Sequence, residues 1–156
     1  MFRNFITALA AVALLSGATA FAQVNHSGKV ELLEFDGKTA LFAVEGIAAK
    51  KGDVLQSAKE TLFDRLLYTG VEGLNNDRKL VNKPREELKT KDYAVNFFKK
   101  RMHAYLKMDA GGKQTLLELL GSIIQQGPDF SGVYLIPIKY NVLIRDLKTE
   151  GLLNQL

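Results

Sequence analysis

The sequence predicts an α+β fold: an antiparallel sheet of three to five strands, a main helix at about 53–69 packed on one face, and a short C-terminal helix. Two strand-forming runs joined by an Asp-Gly turn indicate the first hairpin. A single apolar stripe at helical spacing indicates the main helix, and a further strand-forming run follows a Gly-Pro-Asp break near the C-terminus.

Residues 1–22 have the pattern of a secretory signal peptide. Arg3 supplies a positive start, an apolar run follows, and Ala20 and Ala22 are the small residues of a cleavage site after Ala22. The apolar run, about 11 residues long, is shorter than the roughly 20 residues that a membrane-spanning helix needs. We therefore expect an exported protein, periplasmic or extracellular, with one α+β domain over residues 23–156 and no transmembrane span after cleavage.

The predicted hairpin comprises residues 29–35 and 39–47, with Asp36, Gly37 and Lys38 between them. Both runs are rich in strand-forming residues. The second run is apolar at almost every position, which is typical of a central strand or of a strand that is buried on both faces.

The main helix is predicted over residues 53–69. Asp53 and Gln56 have the spacing of a capping box, and Gly70 stands where a left-handed C-cap residue is expected. The apolar stripe consists of Leu55, Ala58, Leu62, Phe63, Leu66 and Leu67.

The middle of the chain has weaker patterns. Residues 70–91 resemble a loop, and a helix is predicted at about 91–100. Residues 113–126 fit a helix by spacing and a strand by apolar density, so both interpretations stay open here.

The C-terminal part begins with a strand predicted over residues 131–140. Pro137 cannot donate to a ladder, which places it at an edge, at a bulge or at the end of the strand. Asn141 is then expected to cap a short helix over residues 142–150, which Gly151 ends.

The composition argues against several kinds of chemistry. The chain has no cysteine, so thiolate catalysis, cysteine-ligated metals, disulfides and a lipid anchor on cysteine are excluded. The two histidines, His26 and His103, lack the spacing of metal ligands, and no serine lies in a nucleophile motif. We therefore expect a non-enzymatic protein with no cofactor and no metal.

The formal net charge of +4 is concentrated in residues 78–107, called the basic segment, which holds ten basic and three acidic residues. One interpretation is a binding surface for an anionic small ligand, glycan or lipid headgroup, with Lys99, Lys100 and Arg101 as its candidate residues. The other interpretation is a solvated surface whose aromatic residues face the core. Nucleic acid is not expected, because no binding motif is present.

Several short runs resemble uncharacterised exported proteins of Bacteroidetes-type bacteria. They are Gly46–Asp53, Ala58-Lys59, Leu62-Phe63 to Leu67-Tyr68, Gly70–Gly73, Asp92-Tyr93 to Phe97-Phe98, and Leu143 to Leu147 with Gly151. More distantly, the strand–helix order is similar to the N-terminal domain of the flagellar-assembly T protein and to small outer-membrane lipoproteins. The resemblance implies an α+β envelope protein without catalytic residues. We expect an interaction or assembly module with an envelope partner, and anionic-ligand binding is the alternative.

Overall fold

The computed structural model describes residues 27–84, residue 87, residues 96–106 and residues 117–154, and these form an α+β fold as the sequence predicts. Four strands make one antiparallel sheet, in the order β1-β2-β4-β3. The strands are β1 (Val30–Phe35), β2 (Thr39–Ala48), β3 (Glu118–Gln126) and β4 (Asp129–Lys139), and the helices are α1 (Val54–Tyr68) and α2 (Tyr140–Thr149). The predicted signal peptide, residues 1–22, lies outside the described residues.

The β1–β2 hairpin is confirmed, and β2 is a central strand. The carboxylate of Asp36 accepts hydrogen bonds from the backbone N–H groups of Lys38 and Thr39, at 2.8 and 2.6 Å. Gly37 has a φ of +88°, a conformation that glycine adopts without steric cost. The Asp-Gly pair therefore stabilises the turn that sets the register of the two strands.

Helix α1 packs closely on one face of β2. A Cβ atom on Gly46 would overlap the carbonyl oxygen of Val54 and would lie 3.0 Å from the Cβ of Ala58. The hydroxyl of Ser57 donates to the carbonyl oxygen of Ile47 at 2.7 Å and accepts from its N–H at 3.0 Å. A glycine and a serine therefore hold the start of α1 against the end of β2.

The predicted capping box at the start of α1 is wrong. Asp53 makes no side-chain capping bond, and it belongs to a short 3₁₀ turn, Lys51–Asp53, that leads into the helix. The amide of Gln56 instead donates to Glu60 at 2.9 Å. The predicted C-terminal stop is confirmed, since Gly70 has a φ of +105° and its N–H donates to Arg65 at 2.7 Å.

The chain between α1 and β3 is irregular in its described parts, as predicted for 70–84. The helix predicted at 91–100 falls partly outside the described residues, and its described part continues as a π-helical turn, Phe97–Arg101, and a 3₁₀ turn, Met102–Tyr105. These turns bury Phe97 and Tyr105 against Phe63 of α1, with ring centroids 5.5 and 6.2 Å from that of Phe63.

Within residues 113–126, the strand interpretation is correct for 118–126, and 113–116 lie outside the described residues. The ladder between β3 and β4 is irregular between Leu120 and Ile124, where Gly121 has a φ of +75°. Pro137 pairs with Leu41 of β2, two positions beyond Leu135, the last β4 residue that pairs with β3. At Pro137, β4 therefore has no pairing partner in β3, which agrees with the predicted position at an edge of the ladder.

Helix α2 follows β4 directly. Asn141 lies inside the helix and not at its N-cap, which is Lys139, so the predicted cap is wrong. The N–H of Asn141 donates to Lys38 of the hairpin turn at 3.1 Å. Gly151, with a φ of +69°, follows the helix as predicted. Tyr140, Leu143 and Leu147 bury the inner side of α2 in the core.

Candidate functional site

The sheet has two faces of different character. Residues of β2 and β4 alternate between fully buried side chains, such as Phe42 and Ile136, and partly exposed ones. The buried set faces α1, because Gly46 lies on that side. We call the opposite side the open face. Its apolar residues are Leu41, Ala43 and Ile47 of β2, Val133, Leu135 and Pro137 of β4, and Leu120 and Ile124 of β3.

The apolar residues of the open face do not belong to the hydrophobic core or to the partly buried side chains that pack against it. Leu120 and Ile124 have 42% and 50% of their surfaces exposed, although both are large aliphatic residues in a strand. The described helices pack on the other side. An aliphatic surface with two large side chains about half exposed and the others half-buried is typical of an interaction site.

Acidic side chains border the open face on both edges. Glu31 and Glu34 lie on β1 and Glu118 lies on β3, at register positions that point to this face. Two lysines, Lys29 at the start of β1 and Lys139 at the end of β4, also lie at its margin.

One polar pair within the open face, Glu45 and Ser131, makes hydrogen bonds that stabilise the fold. Glu45 accepts a hydrogen bond from the hydroxyl of Ser131 at 2.9 Å and another from the N–H of Lys29 at 3.2 Å. Ser131 is only 4% exposed. The carboxylate therefore ties the start of β1 to β2 and β4, which is a structural role.

The described residues do not bring the candidate residues of the basic segment together in one site. Arg101 pairs with Glu150 of the C-terminal region at 3.0 Å, and both side chains are about half exposed, at 47% and 43%. Lys100 is exposed, and the side chain of Lys99 lies outside the described residues. Lys83 pairs with Glu87 at 3.2 Å. Two of the positive charges thus already have acidic partners.

Among the described residues, the buried Tyr105, near Arg101, has the largest shift in pKa. The hydroxyl of Tyr105 donates to Asp146 of α2 at 3.1 Å. Burial, together with the charge of Asp146 and this hydrogen bond, raises the pKa of Tyr105 to about 12. Such a tyrosine stays protonated at neutral pH, so it joins α2 to the core and does not serve as a base.

An open depression of about 410 Å³ lies between the start of β1 and the end of α1. Residues of both charges line it, Lys29 and Arg65 with Glu31 and Glu72, and at Glu31, on the edge strand β1, it borders the open face. A balanced lining of this kind selects neither anions nor cations by charge.

Groups of three or more side chains suited to metal binding do not occur among the described residues. His103 is exposed on a short helical turn, and His26 lies outside the described residues. In the part of the chain that the structure describes, neither helix has the length and apolar character needed to cross a membrane.

Comparisons with protein-family models, with curated proteins and with solved structures find no match.

The open face is the feature that sequence reasoning missed. The signal was present in β2, whose odd-numbered residues include Leu41, Ala43 and Ile47, while its even-numbered residues form the core. A strand with two apolar faces needs a cover on each. The sequence offers one long amphipathic helix, α1, which covers one face. Because β2 has two apolar faces and α1 covers one of them, the sequence already indicated a strand face without a helix to cover it.

Proposed function

We propose that the protein is an exported, non-enzymatic interaction module of the bacterial envelope, and that it binds a protein partner through the open face. The observation that carries the proposal is the row of aliphatic side chains on the solvent side of β2, β4 and β3, with Leu120 and Ile124 about half exposed. Covering these side chains removes apolar area from water, which is the main favourable term in most protein association.

The alternative function, binding of an anionic ligand by the basic segment, has less support. Arg101, one of its three candidate residues, already pairs with Glu150. An anionic ligand there would have to compete with this carboxylate for the guanidinium of Arg101.

The absence of cysteine from the sequence allows a clean test by single-cysteine labelling. In Ile124→Cys the thiol lies on the open face, and in Lys148→Cys it lies on the exposed side of α2. We expect a membrane-permeable thiol reagent to label Ile124→Cys several-fold more slowly in producing cells than in purified protein. Lys148→Cys should react equally in both.

A second variant separates the two proposed functions. If the open face binds the partner, Lys99→Glu with Lys100→Glu leaves the protection of Ile124→Cys unchanged. If that thiol reacts at the same rate in cells and in purified protein, the open face is not covered and the proposal is wrong.

A further inference from the structure

The charges of the open face follow the sheet register. Glu31 pairs with Ala43, Ala43 pairs with Leu135, and Leu135 pairs with Glu118. One transverse row across all four strands therefore has two apolar residues in the centre and a carboxylate at each edge. Glu34, which pairs with Leu41, adds a third carboxylate on the β1 side.

The spacing of the two edges limits what can lie between them. Glu31 and Glu118 are three strand intervals apart, which is about 14 Å. An α-helix with its side chains is roughly 10–12 Å across. A second sheet would extend over both edges and would remove the carboxylates from water, which is costly unless each one gains a cationic partner.

The length of the apolar strip also suits one helix. From Ile47 to Leu41, the open face of β2 runs for about 20 Å, and the one charged side chain within it, Glu45, is held by Ser131 and Lys29. A helix of about 13 residues has this length. Ala43 has the smallest side chain along the β2 part of the strip, which leaves room for a large apolar side chain near the middle.

We infer that the partner element bound by the open face is a basic amphipathic helix of about 13 residues, with an aliphatic stripe flanked on both sides by Lys or Arg. This inference rests on the proposed function. The stripe packs on Leu41, Leu135 and Leu120, and the flanking cations lie against Glu31, Glu34 and Glu118. Long basic side chains suit this role, because their stems cover apolar surface while their charges reach the rim.

The same charges argue against two other occupants. A second copy paired through the same face would bring the carboxylates of both chains to a shared border, where like charges repel. A membrane surface rich in anionic lipid would repel the acidic rim. A cationic helix matches the carboxylates along both edges, whereas Lys29 and Lys139 lie towards the two ends of the face.

The test uses two synthetic peptides and the purified protein. The first peptide is a helix of about 14 residues with a leucine stripe and lysine flanks, and the second has glutamate in place of every lysine. Binding is measured by fluorescence anisotropy of the labelled peptides at low salt. We expect the lysine peptide to bind at least about tenfold more tightly than the glutamate peptide.

Variants assign the binding to the open face. Glu31→Lys with Glu118→Lys should reverse the preference between the two peptides. The matched control, Asp53→Lys with Glu150→Lys, makes the same charge change at exposed positions at the start of α1 and the end of α2 and should leave the preference unchanged. Leu120→Ser with Ile124→Ser should weaken binding of the lysine peptide by about tenfold. Thermal unfolding of each variant shows that the fold is retained.

The outcomes separate the inference from the proposed function. If both peptides bind equally and the Leu120 and Ile124 variant weakens both, the open face is a binding surface but the inferred basic helix is wrong. If the lysine peptide does not bind, or binds unchanged to the rim variant, the inference is also wrong. Protection of Ile124→Cys in cells tests the proposed function independently of these peptides.

Discussion

At the scale of single residues, small side chains make the closest contacts between elements. Gly46 allows the backbone of α1 to approach β2, and the hydroxyl of Ser57 satisfies both backbone groups of Ile47. Neither role was predicted from the sequence, in which Gly46 belonged to a strand run and Ser57 to a helix. Close approach depends on which elements meet in three dimensions, and local sequence patterns do not contain that information.

Ionisation of Tyr105 makes the free energy of unfolding depend on pH at alkaline pH. Its pKa is raised from the ordinary value of 10.0 to about 12, first by burial and then by Asp146. Between these two values the unfolded chain loses the phenolic proton while the folded protein keeps it. The stabilisation from Tyr105 is therefore present below pH 10 and is lost as the pH rises towards about 12.

We predict that Tyr105→Phe removes this dependence. At neutral pH the variant should be less stable by about 1 kcal/mol, because the hydrogen bond to Asp146 is lost. Above pH 10 the stability of the original protein should fall by up to about 1.4 kcal/mol per pH unit more steeply than that of the variant. Urea unfolding across this pH range measures both. If the stability of the original protein relative to Tyr105→Phe stays constant or increases with pH, the raised pKa assigned to Tyr105 is wrong.

At the scale of elements, a helix or strand was predicted correctly where several local sequence patterns indicated the same structure. The hairpin and α1 were predicted because turn chemistry, strand propensity and apolar spacing all indicate the same structure. The region of β3 has apolar residues that satisfy both helical and strand spacing, so only pairing with β4 decides between them. The two predicted helix caps were wrong for different reasons: the backbone of Asp53 is already helical, and α2 begins directly after β4, so Asn141 lies inside the helix.

The difference between the core side of α1 and the open face can be measured by unfolding. Leu62 is fully buried in the core, and Leu120 is 42% exposed on the open face. We predict that Leu62→Ala destabilises the protein by about 2–5 kcal/mol, because it leaves a cavity. Leu120→Ala should cost less than about 1 kcal/mol. Chemical denaturation of both variants checks this, and similar losses at the two positions would mean that the open face is covered within the chain.

At the scale of the whole molecule, the two faces of the sheet differ in what covers them. The described structure packs α1 on one side of the sheet and leaves, on the other side, an aliphatic face with carboxylates along both edges. The basic segment could be identified from the sequence, because charged residues and their positions can be counted without a structure. The open face is assembled from β2 and from the β3–β4 hairpin, which lies about 70 residues further along the chain, so its extent depends on how the strands pair.

Photo-crosslinking in producing cells tests the central claim, that another protein covers the open face, most directly. A photoreactive amino acid at position 120 would lie on this face, and the matched control at position 148 would lie on α2. The account predicts an adduct with a different protein at position 120, its loss when Ile124→Ser is added, and no such adduct at position 148. An adduct only with a second copy of the chain, the same adducts at both positions, or none at position 120 would contradict it.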